Sequence, residues 1–208
     1  MEPTRRLFLM ARGWRNRGLR GEPEKRGEAM ARKVAIILRG PPGAGKTTVA
    51  NALQDHFHLA RNSHVVLDRF WGKGEKRFAG FCRYWDLRDQ SDVLIIELGY
   101  GEPVDESFPG ATKNPREWIS ILESDGREVF FFLLQIAQSE TVRRVSTRND
   151  LTPDYAKAAH DRYNQGAVCC SATFSALIGT SHSEETINTE EKDLAATVTR
   201  IVTKIGST

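Results

Sequence analysis

Residues Gly40-Pro41-Pro42-Gly43-Ala44-Gly45-Lys46-Thr47 fill every required position of the pattern G-x-x-x-x-G-K-[ST], and no other stretch constrains the fold as tightly. A loop of this kind has to join a strand to a helix. The run Val34 to Leu38 directly before it is wholly apolar and of strand length, as a buried parallel strand requires. After it, Val49, Ala50, Leu53 and Phe57 recur at helical spacing. Strand, glycine-rich turn and helix therefore follow one another without a gap.

Each residue type in the loop has a physical task. Gly40, Gly43 and Gly45 permit backbone angles and close approaches that a Cβ would block, so that successive N–H groups turn inward around phosphate oxygens. A helix starting near Lys46 adds the positive end of its dipole. Lys46 is expected to reach the β- and γ-phosphates of ATP, and the Thr47 hydroxyl to ligate Mg²⁺. The expected nucleotide-binding set is Gly40, Pro41, Pro42, Gly43, Ala44, Gly45, Lys46, Thr47 and Thr48.

Composition limits the remaining possibilities. The chain has 208 residues and 39% hydrophobic content, enough for one good core. No apolar run reaches 18 residues, so no membrane partner is expected. Cys82 is isolated and Cys169 and Cys170 are adjacent, which gives neither a disulfide framework nor a zinc spacing and suits a cytoplasmic protein. Residues 1 to 30 hold eight Arg/Lys and four Glu, a net +4 against +3 for the whole chain, which leaves residues 31 to 208 near neutral at −1. A broad nucleic-acid surface would need a basic face on the domain itself, so a nucleic-acid partner is not favoured.

The first thirty residues read as a disordered basic extension, rich in Arg and Gly with no sustained period, and residues 31 to 208 as one domain. Met30 stands directly before the first strand and is the expected start of translation. A mitochondrial presequence is the second reading, disfavoured by Glu22, Glu24 and Glu28 and by the lack of Ser.

Further strands are expected at His64–Leu67, Asp92–Glu97, Glu128–Gln135 and Glu185–Asn188. Helices are expected within residues 73 to 90, from Pro115 after an Asn114 cap, from Ser139 through Arg148, from Thr152-Pro153 to about Tyr163, and along the stripe Leu194, Val198, Ile201, Val202 and Ile205. The alternation implies an α/β fold: a parallel sheet of about five strands with helices on both faces.

Four features carry a resemblance to the small P-loop kinases, a superfamily holding shikimate, gluconate, nucleotide, chloramphenicol and zeta-toxin-like phosphotransferases. They are the loop at Gly40 to Thr47, Asp68 ending the second strand, Glu97 ending the third, and Arg143-Arg144-Val-Ser-Thr-Arg148. Only the loop is specific; the others match by position. The resemblance covers about residues 32 to 205 and implies that the second-strand acid handles the acceptor hydroxyl and that the arginine-bearing segment closes over ATP.

Elementary chemistry allows the same roles. Asp68 can accept the acceptor's proton or orient its hydroxyl, and it can equally be a helix cap or an ion-pair partner of Arg69. Glu97 can hold Mg²⁺ directly or through water, or it can bind substrate. Arg144 and Arg148, four apart, are placed to share a helical face and clamp phosphate oxygens, whereas Arg143 reads as a solvated charge. Arg69 and Tyr100 are the expected substrate contacts. The expected activity is ATP- and Mg²⁺-dependent transfer of the γ-phosphoryl group to a hydroxyl, or to a phosphate, of a small-molecule acceptor. The alternatives are a polynucleotide 5′-kinase and a nucleotide-dependent switch or AAA-type ATPase.

Overall fold

The computed structural model describes residues 32–60, 64–66, 84, 86–98, 115–147, 152–165, 178–190 and 193–207. All of them lie within the unit Arg32–Thr208. Among the described residues, strands β1 (Lys33–Arg39), β2 (Val65–Val66), β3 (Val93–Leu98), β4 (Arg127–Gln135) and β5 (Glu184–Asn188) form one sheet in the order β2-β3-β1-β4-β5. Every pairing is parallel. Parallel neighbours cannot be joined by tight hairpins, so each connection crosses a face of the sheet. Helices α1 (Lys46–His56), α2 (Pro115–Ser124), α3 (Gln138–Ser146) and α4 (Pro153–Gln165) lie along those connections, and α5 (Leu194–Gly206) follows β5. The chain therefore has the α/β P-loop NTPase fold.

Central position explains the composition of β1. It pairs with β3 on one side and β4 on the other, with Leu38 level with both Glu97 and Phe132. Its alternate residues serve opposite cores. Val34, Ile36 and Leu38 pack with Val49, Ala50 and Leu53 of α1 and with Val198, Ile201 and Ile205 of α5. Ala35 and Ile37 pack with Ile119 and Leu122 of α2 and with Leu94, Ile96 and Phe131. Removing one such Ile or Leu side chain from water contributes about 1.5–3 kcal/mol, so an uninterrupted apolar run is what a strand covered on both faces requires.

Most boundaries fall within one or two residues of expectation, and two of the differences lie near the glycine-rich turn. His64 precedes β2 rather than pairing within it. Helix α3 stops at Ser146, with Thr147 as its C-cap, and so ends short of Arg148. Local side-chain competition accounts for the stop. The Thr147 hydroxyl donates to Arg144 O at 2.8 Å and the Ser146 hydroxyl to Val142 O at 2.8 Å, occupying carbonyls of the last turn. Of residues 73 to 90, Tyr84 and residues 86–90 are described: Tyr84 and residues 86–88 are helical, and Asp89 and Gln90 form a turn.

At the sheet end remote from the glycine-rich turn, the buried guanidinium of Arg127 fastens three segments. It donates to Asp92 O at 3.0 Å, Ser91 O at 2.9 Å and Val34 O at 3.3 Å, and also to Arg88 O. Buried Tyr84 donates to Asp125 beside it, and burial and that carboxylate together push the phenol pKa up. Replacing Arg127 by Leu strands several buried carbonyls without donors, so Arg127→Leu is expected to lower unfolding free energy by about 2–4 kcal/mol in a urea titration. A loss under about 0.5 kcal/mol would show that the anchor is redundant.

Candidate phosphate-loop site

The turn from β1 into α1 is shaped by glycines at two kinds of position. At Gly40, with φ 150°, a Cβ would lie 2.4 Å from Leu134 O of β4, so the backbone there passes too near the neighbouring strand for any side chain. Gly43 and Gly45 take φ 81° and 88°, in the left-handed region that disfavours a side chain. Gly45 is the N-cap of α1 and offers no side chain to the first-turn amides, which leaves the positive end of the helix to an external anion. Lys46 Nζ donates to Gly40 O at 2.8 Å and to Pro41 O at 3.3 Å, which holds the ammonium over the loop.

Burial and register bring an acid to the same place. On β3, Leu94 and Ile96 face the α2 side, so Ile95 and Glu97 face α1. Glu97 is 2% exposed, and its Oε2 accepts a hydrogen bond from Thr47 Oγ1 at 2.9 Å. Its other oxygen lies 2.8 Å from His64 Nε2, but the imidazole N–H is poorly directed, and neither atom completes a hydrogen bond among the described residues. The two residues fit Mg²⁺ of the sort that takes one or two protein oxygens and fills its octahedron with phosphate and water. They are hard oxygen donors side by side, and one carboxylate oxygen is buried and short of a partner. Among the described residues no group of three His, Cys, Asp or Glu gathers into an all-protein metal cage.

A third wall comes from α3 and the turn after β5. Arg144 donates to Gly43 O at 3.3 Å and to Thr189 O at 3.0 Å, and Glu140 accepts from its Nε at 2.7 Å. The Thr189 hydroxyl reaches Ala44 O at 3.1 Å and Gln135 O at 3.2 Å. Glu190 accepts from the amide of Ala137 at 3.1 Å. Hydrogen bonds from Arg143 and Arg144 hold the Glu140 carboxyl down to about 2. Arg143 itself is exposed.

The structure thus brings Lys46, Thr47, Glu97 and Arg144 to one end of the sheet around Gly40–Thr47, with Thr48 in the exposed first turn of α1. Asp68, Arg69, Tyr100 and Arg148 lie outside the described residues. Arg144 was expected to face phosphate; its described bonds run instead to backbone carbonyls of the loop and of the β5–α5 turn. His64, Gln54, Glu140 and Thr189 adjoin the site without having been singled out. For Gln54 a signal existed: it stands seven residues after Thr47, hence two turns along the same side of α1.

The family described as Zeta toxin matches residues 22–70, less than a quarter of the chain, a span that contains the glycine-rich loop. No curated protein matches the sequence. Among solved structures, a shikimate kinase from Bacteroides thetaiotaomicron is 15% identical, with 83% of this chain and 98% of that one covered and a TM-score of 0.48. A gluconokinase from Sinorhizobium meliloti is 12% identical over 85% and 94% of the two chains, with a TM-score of 0.47. A deoxyadenosine kinase from M. mycoides is 11% identical over 83% and 100%, with a TM-score of 0.44. The likeness to these three kinases is one of fold.

Gly40→Ala forces Leu134 O to move, whereas at Gly45 a Cβ meets nothing within 4 Å and only the backbone angle is strained. In thermal melts Gly45→Ala should lose about 1–2 kcal/mol and Gly40→Ala more. Equal losses would contradict the close approach. Because the folded pKa of Glu140 lies below its ordinary 4.5, its contribution is complete above that value and disappears as pH falls through about 2. Carboxyl NMR should therefore place its titration midpoint near 2, and the acid-unfolding curve of Glu140→Gln should be flatter between pH 4.5 and 2.

Proposed function

We propose that this chain is an ATP- and Mg²⁺-dependent phosphotransferase that moves the γ-phosphoryl group to a hydroxyl, or less readily to a phosphate, of a small-molecule acceptor. The observation carrying this reading is the convergence of the Gly40–Thr47 turn, the bare N-terminus of α1, and the Thr47–Glu97 pair at one end of the sheet. Phosphoryl transfer asks little covalent chemistry of a protein and much positioning, together with neutralisation of charge on the equatorial oxygens. Each element of this site supplies one or the other.

Loop amides and the α1 dipole would bind the phosphate chain, and Lys46 would exchange its carbonyl partners for the β- and γ-phosphate oxygens. Thr47 and Glu97 would hold Mg²⁺, which when bound neutralises charge shared between those oxygens. In the reaction, the acceptor oxygen forms a bond to Pγ as the bond from Pγ to the bridging oxygen breaks, and that oxygen leaves with its electron pair on ADP. The acceptor's proton would pass to the carboxylate of Asp68, which follows β2 by two residues. Arg148 would offset charge on the transferring group. Arg144 fits better as a strut of the loop, given its bonds to Gly43 and Thr189. Arg69 and Tyr100 would contact the acceptor.

The test is to incubate the full chain with γ-labelled ATP, Mg²⁺ and separate pools of sugars, nucleosides, antibiotics and oligonucleotides, and to follow the label. Transfer to a small hydroxyl compound is expected. Label on oligonucleotide 5′ ends would favour a polynucleotide kinase, and acceptor-independent phosphate release raised by a protein partner would favour a switch. With the acceptor in hand, Lys46→Ala should reduce turnover by about 10²–10³-fold. Asp68→Asn should reduce it by about 10²–10⁴-fold. A near wild-type rate for Asp68→Asn would remove that residue from the chemistry.

A further inference from the structure

Behind the Thr47–Glu97 pair lies a line of buried polar groups that neither the loop pattern nor the chemistry above uses. Gln54 is on α1, two turns beyond Thr47, and is 3% exposed; its side-chain amide donates to His64 Nδ1. With Nδ1 accepting, the ring N–H is on Nε2. That nitrogen stands 2.8 Å from Glu97 Oε1, and Glu97 Oε2 meets Thr47. Four side chains from α1, β3 and the residue before β2 thus run in series toward the loop.

We propose that His64 is a positioning residue for Glu97: held by Gln54, it fixes the carboxylate so that Oε2 stays with Thr47 and the acid is presented to Mg²⁺. This rests on the phosphotransferase reading. The physical ground is the depth of burial. A carboxylate inside a sheet is costly unless its oxygens have partners, and His64 is the described side chain facing Oε1. Its side chain is itself only 5% exposed, so packing limits the ring's freedom to turn away. A carboxylate oxygen accepts more than one bond, so a contact of this kind leaves Oε1 room for a cation. Partners of this second rank commonly control metal affinity by 10- to 100-fold or about that range.

Calorimetric binding of ATP to the full chain, once with Mg²⁺ and once with EDTA, tests the assignment without any turnover. The wild type should bind more tightly with Mg²⁺, and Glu97→Gln should abolish most of that gain. His64→Leu should reduce the gain by about 10- to 100-fold while leaving the affinity in EDTA unchanged. His64→Gln, which keeps an N–H donor, should recover much of it. If His64→Leu lowers only the melting temperature and keeps the wild-type gain, the residue is packing and the proposal fails. Should His64→Leu not fold, Gln54→Leu leaves the imidazole in place but unheld, and an unchanged gain in that variant is equally fatal. A wild type that binds no ATP would defeat the phosphotransferase reading itself, an outcome distinct from either.

Discussion

The backbone of the glycine-rich turn is pressed against its neighbours, and the rest of the site follows from that contact. Gly40 passes close to Leu134 O, Ala44 is fully buried with its carbonyl bonded to Thr189, and the Gly43 carbonyl is taken by Arg144. The loop is consequently a fixed surface bounded by β4, α3 and the turn after β5. A preorganised cradle of amides gains its advantage by being in place before an anion arrives, since no reorganisation is then needed. Main-chain packing, more than any charged side chain, supplies that readiness here.

Among the described residues, charge is nonetheless carried in the interior at three places, each with its own solution. At the far end of the sheet Arg127 is surrounded by carbonyls, so its charge is solvated by dipoles. Arg39, the last residue of β1, lies 2% exposed in a two-pronged pair with the equally buried side chain of Glu184 at the start of β5, reaching across β4. Breaking such a pair from one side leaves an uncompensated charge and typically costs about 3–5 kcal/mol, so it acts as a bolt at the base of the loop. Glu97 is the third; one of its oxygens lacks a hydrogen-bond partner among the described residues, as Arg127 Nε also does.

Much of this was legible from residues alone. The runs expected at Val34–Leu38, Asp92–Glu97 and Glu128–Gln135 correspond to β1, β3 and β4, with β3 shifted by one residue to Val93–Leu98, because strands covered on both faces are marked by continuous apolar runs. Of the stripe Leu194, Val198, Ile201, Val202 and Ile205, the residues Val198, Ile201 and Ile205 are buried, Val202 is half-buried and Leu194 is exposed. Where local chemistry competed with period, the reading ran long: α3 ends at Ser146 because two hydroxyls take its last carbonyls, a choice that periodicity does not encode. No sequence signal marks His64, whose neighbour Glu97 is 33 residues away in sequence and adjacent only once β2 and β3 pair. Partnerships across strands depend on sheet order, and sheet order is a tertiary property.

Arg144 has a mechanical consequence. One guanidinium grips the phosphate turn and the segment following β5, and Glu140, one helical turn earlier, steadies it. Those bonds tie the two backbone segments to α3, so a displacement of α3 would pull on the phosphate turn and on the segment after β5 together.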